Sequence, residues 1–228
     1  MDWILVSLIA GLISAICWLI GDIFLVGFDL EEEKYNEFLK NTNIKNKKTT
    51  ILMLSGSVPR LRFGALIANF SIPLMVTSVF ALYKLASPSL WTAAAVALLG
   101  LGFSISPVAH VAFYYVGTLS KGLYKDYREG RPMSKSCEEL VNEYVRFMDI
   151  TWWAAIGITA LGWILYTSLI LLGKTSFSPL FGLLTPLIVS PMAGLLSAKF
   201  KLGRPYLNGA GFNVGLTAFF LSALIWYV

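Results

Sequence analysis

Six long apolar runs, separated by polar loops, organise the chain: about 3 to 28, 61 to 83, 89 to 120, 150 to 172, 178 to 199 and 206 to 228. A helix rising 1.5 Å per residue crosses the hydrocarbon layer in roughly 20 mostly apolar residues, a length that each run reaches. The pattern predicts an all-α integral membrane bundle of six transmembrane helices forming a single transmembrane domain over 1 to 228. The third run is the longest and holds Gly100, Gly102 and Pro107. One helix bent near Pro107 leaves fewer backbone groups open in hydrocarbon than a re-entrant break would, so a single span is expected there.

Charge fixes the expected orientation. The loops at 29 to 62, 121 to 149 and 199 to 205 carry sixteen of the eighteen Lys and Arg residues, and only Lys84 and Lys174 fall in the alternate loops. Basic loops stay in the cytoplasm, so both termini are expected outside. Trp3, Tyr83, Trp91, Trp226 and Tyr227 then fall at outer helix ends, and Tyr124, Trp152, Trp153 and Tyr206 at inner ones, as interfacial aromatics do. The first run begins at Trp3 behind a single charge, Asp2. It lacks the basic start of a secretory signal and outlasts its apolar core, and it reads as a retained helix.

The long basic loops carry short amphipathic helices. Ser136-Cys137-Glu138-Glu139 has capping-box spacing, and Leu140, Tyr144 and Met148, with Val141 and Val145 beside them, form one stripe. That helix is expected on the inner membrane surface, running into the fourth span. Glu31, Glu32 and Glu33 favour a second helix start, with Tyr35, Phe38 and Leu39 as its apolar face, whereas 41 to 48 reads as a solvated loop.

Composition agrees with the pattern: 57% of residues are hydrophobic and 14% charged, too little polar surface to cover a water-soluble globule of 228 residues. The net charge of +5 follows from the cytoplasmic loops, and no nucleic-acid motif accompanies it. Membrane lipids are the expected partners, in a cell membrane of the bacterial inner type. Cys17 and Cys137 form no metal or disulfide pattern, and a single histidine excludes a usual zinc site. There is no Walker motif, dinucleotide fingerprint or Gly-x-Ser-x-Gly elbow, so no cofactor is expected.

Candidate chemistry lies inside the spans. Asp22 is the one acidic residue clearly within a run, and an intramembrane charge is a functional candidate by default. His110, with Ser106 and Tyr114 four residues to either side, makes a polar stripe on the third span. Counted inward from the basic loops, Asp22, Asn69, His110 and Asn213 share a layer roughly 9 to 16 Å deep on four different helices. Gly211 and Gly215 flank Asn213 and permit close helix approach. Arg60 and Arg62 stand at the mouth of the second span, with Lys199, Lys201 and Arg204 in the last basic loop. A polar pocket with a cationic rim is expected, open to the cytoplasm or inner leaflet and suited to anionic lipid headgroups. Asp22 and His110 are the expected catalytic acid and base, and Asn69, Ser106, Tyr114, Asn208, Asn213, Arg60 and Arg62 the substrate-binding set.

Trp18-Leu19-Ile20-Gly21-Asp22-Ile23-Phe24-Leu25 resembles the Gly-Asp element of an early helix in lysoplasmalogenase-like (YhhN-type) membrane proteins. Those proteins have more spans and a further late Asp, whereas this chain has no acidic residue after Asp149. Ser106 to His110 resembles the Ser-x-x-x-His element of membrane hydrolases related to ceramidases and adiponectin receptors, without their late His-x-x-x-His. The overall layout is similar to that of uncharacterised bacterial polytopic membrane protein families. These resemblances imply lipid chemistry. Two functions follow as expectations: a lipid-active membrane enzyme of hydrolase or transferase type, or a small transporter or ligand-binding membrane protein that uses the same pocket without catalysis.

Overall fold

The computed structural model describes residues 1–228, all of them helix, turn or loop apart from one isolated bridge, Ala86 to Thr175. Helix α1, Trp3–Leu25, starts at Asp2, whose carboxylate accepts from the amides of Ile4 and Leu5 at 2.9 and 3.1 Å. The same carboxylate accepts from the Tyr227 hydroxyl at 2.8 Å, which joins the two ends of the chain. That bond and the first-turn amides hold the Asp2 carboxyl below its usual range. The loops before Leu90 and after Leu171 meet at the same end, where Ser87 and Ser176 amides donate to the carbonyls of Lys174 and Leu85. This is the termini end of the bundle.

The opposite, arm end is built from α2 (Glu32–Lys40), α3 (Lys47–Leu52) and the extensions of two very long helices, α6 (Leu90–Arg128) and α7 (Lys135–Leu171). At 39 and 37 residues these are about 58 and 56 Å long, nearly twice a hydrocarbon layer of roughly 30 Å. They pair as a hairpin along their whole length, and beyond the apolar portion their facing sides bury Leu123, Val141, Val145 and Met148 together with Tyr35, Phe38 and Leu39 of α2. Of the expected amphipathic stripe of α7, Met148 and the flanking Val141 and Val145 are covered by protein, Tyr144 is half-buried, and Leu140 stays exposed. Tyr124, expected as an interfacial anchor, packs edge-on against Tyr35 and Phe38. The cap of α7 also moves: Ser134, not Ser136, accepts from the Cys137 amide, so the capping box is not used. The expected solvated loop at 41 to 48 is stitched to α7, since Asn142 accepts from the Lys45 amide at 2.8 Å and donates to the Asn43 carbonyl at 3.2 Å, and Ile44 is buried.

The second apolar run is two helices, α4 (Val58–Phe70) and α5 (Ile72–Lys84), broken at Ser71 one residue before Ile72-Pro73. Pro73 lacks the amide that would continue the ladder. The Asn69 carbonyl that Pro73 cannot reach accepts from the Ser71 amide, and the Ser14 hydroxyl of α1 donates to the Ser71 carbonyl at 2.8 Å, tying the break to the neighbouring helix. α6, by contrast, runs unbroken through Pro107.

Past α7 the apolar runs are longer than the helices they form. A 3-10 helix, Pro179–Leu184, precedes α8 (Pro186–Phe200), because Thr185 stands before a proline and is extended at φ −71° and ψ 153°. α9 (Gly211–Tyr227) starts five residues later than the apolar run, after turns that include Gly209 at φ +80°. Four helical segments, Trp3–Leu25, Val58–Lys84, Leu90–Arg128 and Lys135–Leu171, are long and apolar enough to cross a membrane; α8 and α9 are shorter apolar helices. α1 lies between α4 and α5 on one side and α9 on the other, and α8 and α9 form a second hairpin.

Candidate functional site

Asp22 lies one turn before the end of α1, where the helix dipole disfavours a negative charge. Partners from two other helices surround its carboxylate. His110 Nε2 of α6 is 2.9 Å from Oδ1, and Asn213 Nδ2 of α9 donates to Oδ2 at 2.6 Å. The Asp22 and His110 side chains are only 14% and 11% exposed, and Asn213 is 4% exposed, so the three-helix contact is shielded from water.

Close backbone packing allows this convergence. Gly21 and Gly64 face each other, and a Cβ on either would come within 3.0 Å or less of the other's carbonyl oxygen, which draws α4 against α1 beside Asp22. On the other side Gly211 and Gly215 let α8 approach α9. A Cβ at Gly211 would lie 3.1 Å from the Ser190 carbonyl, and one at Gly215 3.1 Å from Pro186 Cα.

With Nε2 directed at the carboxylate, an ionised Asp22 selects the imidazole tautomer that carries its proton on Nε2 and leaves the lone pair on Nδ1. Nδ1 has no partner in the chain. Asn213 is oriented by the same logic: its amide nitrogen faces Asp22, so Oδ1 is left as an acceptor, also buried and without a partner.

These side chains border a cavity of about 520 Å³ between the α6–α7 hairpin, α1, α8 and α9. Thr49 and Leu52 of α3 line its arm end, Trp152, Ile156, Thr159 and Trp163 follow along α7, and Pro186, Leu187 and Ser190 of α8 close the other side. Asp22 is the only carboxylate among the lining residues, and no Lys or Arg is among them.

Of the residues expected at the site, Asp22, His110, Ser106, Asn208 and Asn213 line this cavity. Asn208 also donates to the Phe28 carbonyl at 3.2 Å, holding the turn before α9 against the end of α1. Asn69, Tyr114, Arg60 and Arg62 lie elsewhere. Asn69 spends its amide on the carbonyls of Ala65 at 2.7 Å and Pro107 at 3.3 Å, tying α4 to α6 beside the proline, and has no donor left for an oxyanion. Tyr114 falls off the stripe because each four-residue step on a helix drifts by about 40°, and it packs with the cluster around Leu25, Met53 and Leu61.

Arg60 caps α1. Its guanidinium donates to the carbonyls of Ile23 at 2.9 Å and Gly27 at 3.4 Å and lies 4.1 Å from the Phe28 ring centroid. Arg62 is exposed on α4. The cationic rim expected for anionic headgroups is therefore not part of the cavity wall.

Two residues that the sequence reading passed over border the cavity: Thr159 and Trp163, one turn apart on α7. Trp163 is 1% exposed and its Nε1 has no partner. The available signal was position, since tryptophans of membrane helices concentrate at the interfaces and Trp163 stands in mid-run.

The whole chain, residues 1–228, matches the Family of unknown function (DUF6796), and the protein belongs to that family. No curated protein and no solved structure matches the chain, so the local likeness to lysoplasmalogenase-like proteins has no relative behind it.

Proposed function

We propose that the protein is a lipid-active membrane enzyme of hydrolytic type, with Asp22 and His110 as its acid–base pair. The observation that carries this reading is the 2.9 Å contact of His110 Nε2 with Asp22 at a cavity wall, with Nδ1 left over. In that arrangement the carboxylate fixes the tautomer and stabilises the imidazolium that forms when Nδ1 takes a proton. His110 Nδ1 accepts a proton from water, the water oxygen bonds to the acyl carbonyl carbon, and the ester C–O bond breaks. The departing alkoxide takes the proton back from Nδ1, giving a fatty acid and an alcohol. Asn213 orients Asp22.

The bundle spans the membrane six times in this reading, α8 and α9 included, with the termini end outside and the basic arm end in the cytoplasm. The Asp2 to Tyr227 bond supports an even number of passes, and the basic loops support the orientation. A transporter reading has less support. Trp163 of the cavity wall continues through Phe219, Phe181, Phe177 and Trp226 as a series of touching rings towards the termini end, packing that supports a closed outer half over a path through it.

Purified protein in nanodiscs, supplied with a membrane lipid extract and followed by mass spectrometry, is expected to deplete an ester lipid and release free fatty acid. Asp22→Asn and His110→Ala should each abolish the release while helicity is retained, and the double variant should be no worse than either. Unchanged lipids with the native protein refute the enzyme reading. For topology, a cysteine introduced at Lys125 should resist a membrane-impermeant thiol reagent in intact cells, and one placed after Val228 should react; the reverse pattern refutes the orientation.

A further inference from the structure

We infer that the cavity takes a neutral, single-chain amphiphile with a hydroxyl headgroup, of the alkyl- or acylglycerol class, and excludes anionic lipids. This deepens the proposal of a lipid site in the same cavity by naming its ligand. The inference stands on the charge, the unpaired polar atoms and the size of that one space.

Charge comes first. The one formal charge on the wall is the Asp22 carboxylate, and it already accepts two hydrogen bonds from the protein. A phosphate or carboxylate headgroup entering this space would meet a like charge and no Lys or Arg, a poor environment at low dielectric. Arg60, expected in the rim, is engaged with the end of α1.

Polar complementarity narrows the class. Three buried wall residues keep one polar atom without a partner: His110 Nδ1, Asn213 Oδ1 and Trp163 Nε1. Buried polar groups are normally paired, and unpaired ones at a cavity are where a ligand gains most. The set holds two acceptors and one donor when His110 is neutral. Vicinal hydroxyls supply the converse, two O–H donors with an oxygen that accepts from the indole N–H. A hydroxyl also pairs with Nδ1 after protonation, because it accepts as well as donates.

Size and wall chemistry set the rest. Half of the 22 lining residues are hydrophobic, among them Leu52, Phe113, Ile156, Leu187 and Phe212, so an acyl or alkyl chain is accommodated in the same space. At about 520 Å³ the space sits within the roughly 300 to 1,000 Å³ of small-molecule pockets, enough for a headgroup and part of one chain but not for a two-chain phospholipid.

The test uses full-length protein in phosphatidylcholine nanodiscs and three probes of equal chain length: 1-O-hexadecylglycerol, its 3-phosphate, and hexadecylamine. The ether link of the first cannot be hydrolysed, so binding is read apart from chemistry. Native mass spectrometry and thermal-shift titration should show saturable one-to-one binding of the alkylglycerol, with the phosphate at least about 10-fold weaker, the ratio expected from one lost or opposed polar contact.

Trp163→Phe should weaken the alkylglycerol about 10-fold, and Ala160→Phe, which fills the space, should abolish binding. The probe series on the native protein decides the matter even if a variant fails to fold. Equal or tighter binding of the phosphate, preference for the amine, or a cavity that takes up only water overturns the inference. Alkylglycerol binding without ester cleavage leaves the inference standing and removes the enzyme reading; cleavage of another lipid without alkylglycerol binding does the reverse.

Discussion

Replacing His110 with leucine, alone and together with Asp22→Leu, separates the worth of the polar contact from the worth of packing. In the native background His110→Leu removes the 2.9 Å contact and leaves a carboxylate, 14% exposed, with Asn213 as its one remaining partner. A hydrogen bond to a charged group contributes about 1.5 to 3 kcal/mol, while interhelical polar contacts measured in bilayers average about 0.6 and reach about 1.7. Shielding on three sides puts this pair at the upper end of the second range. The stranded charge adds to that cost, so a total of about 2 to 3 kcal/mol is expected. In the Asp22→Leu background no charge is stranded, and His110→Leu should cost under about 1 kcal/mol, mostly shape. Extending the series with Asn213→Leu gives an apolar three-helix junction that should be more stable than the His110→Leu single variant. Reversible unfolding in mixed micelles with increasing dodecyl sulfate reads each value as a midpoint shift. If His110→Leu costs the same in both backgrounds, within about 0.5 kcal/mol, the contact is energetically idle and both the tautomer argument and the base assignment fall.

Arg60→Ala should lower stability by about 1 to 2 kcal/mol through the lost cap of α1, and Arg60→Lys should recover little of it because an ammonium cannot bond two carbonyls and stack at once. If Arg60→Lys restores full stability, point charge matters and the capping geometry does not. Gly215→Ala should push α8 away from α9, because its Cβ meets Ser190 and Pro186. A loss of about 1 to 3 kcal/mol is expected by unfolding midpoint, and an unchanged midpoint would show that the hairpin is looser than described. Ser134→Ala should destabilise the arm by about 0.5 to 2 kcal/mol and Ser136→Ala hardly at all, read by hydrogen exchange of the first turn of α7; the opposite ranking would restore the capping box.

The all-helical class and the four long apolar segments follow from the apolar runs, because a 20-residue apolar stretch has few structural alternatives. What periodicity does not encode is where a helix stops inside such a run. Thr185 is extended because of Pro186, and α9 waits until Gly211 because Arg204-Pro205 and Gly209 make turns, so α8 and α9 are shorter than their hydropathy suggests. The arm misleads for a related reason. An apolar face such as Leu140, Tyr144 and Met148 with Val141 and Val145 reads the same whether lipid headgroups or a partner helix covers it, and the pairing of α6 with α7 turns Val141, Val145 and Met148 inward while Leu140 stays exposed.

The layer containing Asp22, His110 and Asn213 is readable because depth along a helix is a linear count, and three residues at one depth on different helices can be compared without knowing the packing. Direction around each helix is not readable in the same way. Depth alone put Asn69 with the others, yet its amide turns to its own helix and to the Pro107 carbonyl, and Arg60, at the expected mouth, turns back on α1. Rotation is set by where neighbouring backbones come closest, here at Gly21 with Gly64 and at Gly215 with Pro186. Those contacts lie on either side of Asp22, while Gly102 against Thr159 and Gly162 against Leu99 draw α7, and with it Trp163, onto α6. The indole N–H of Trp163 is buried without a partner, as is that of Trp18 in the same core, but only Trp163 also lines the cavity. Its place among the residues that line the cavity with His110 and Asn213 adds one unpaired donor from α7 to their two acceptors.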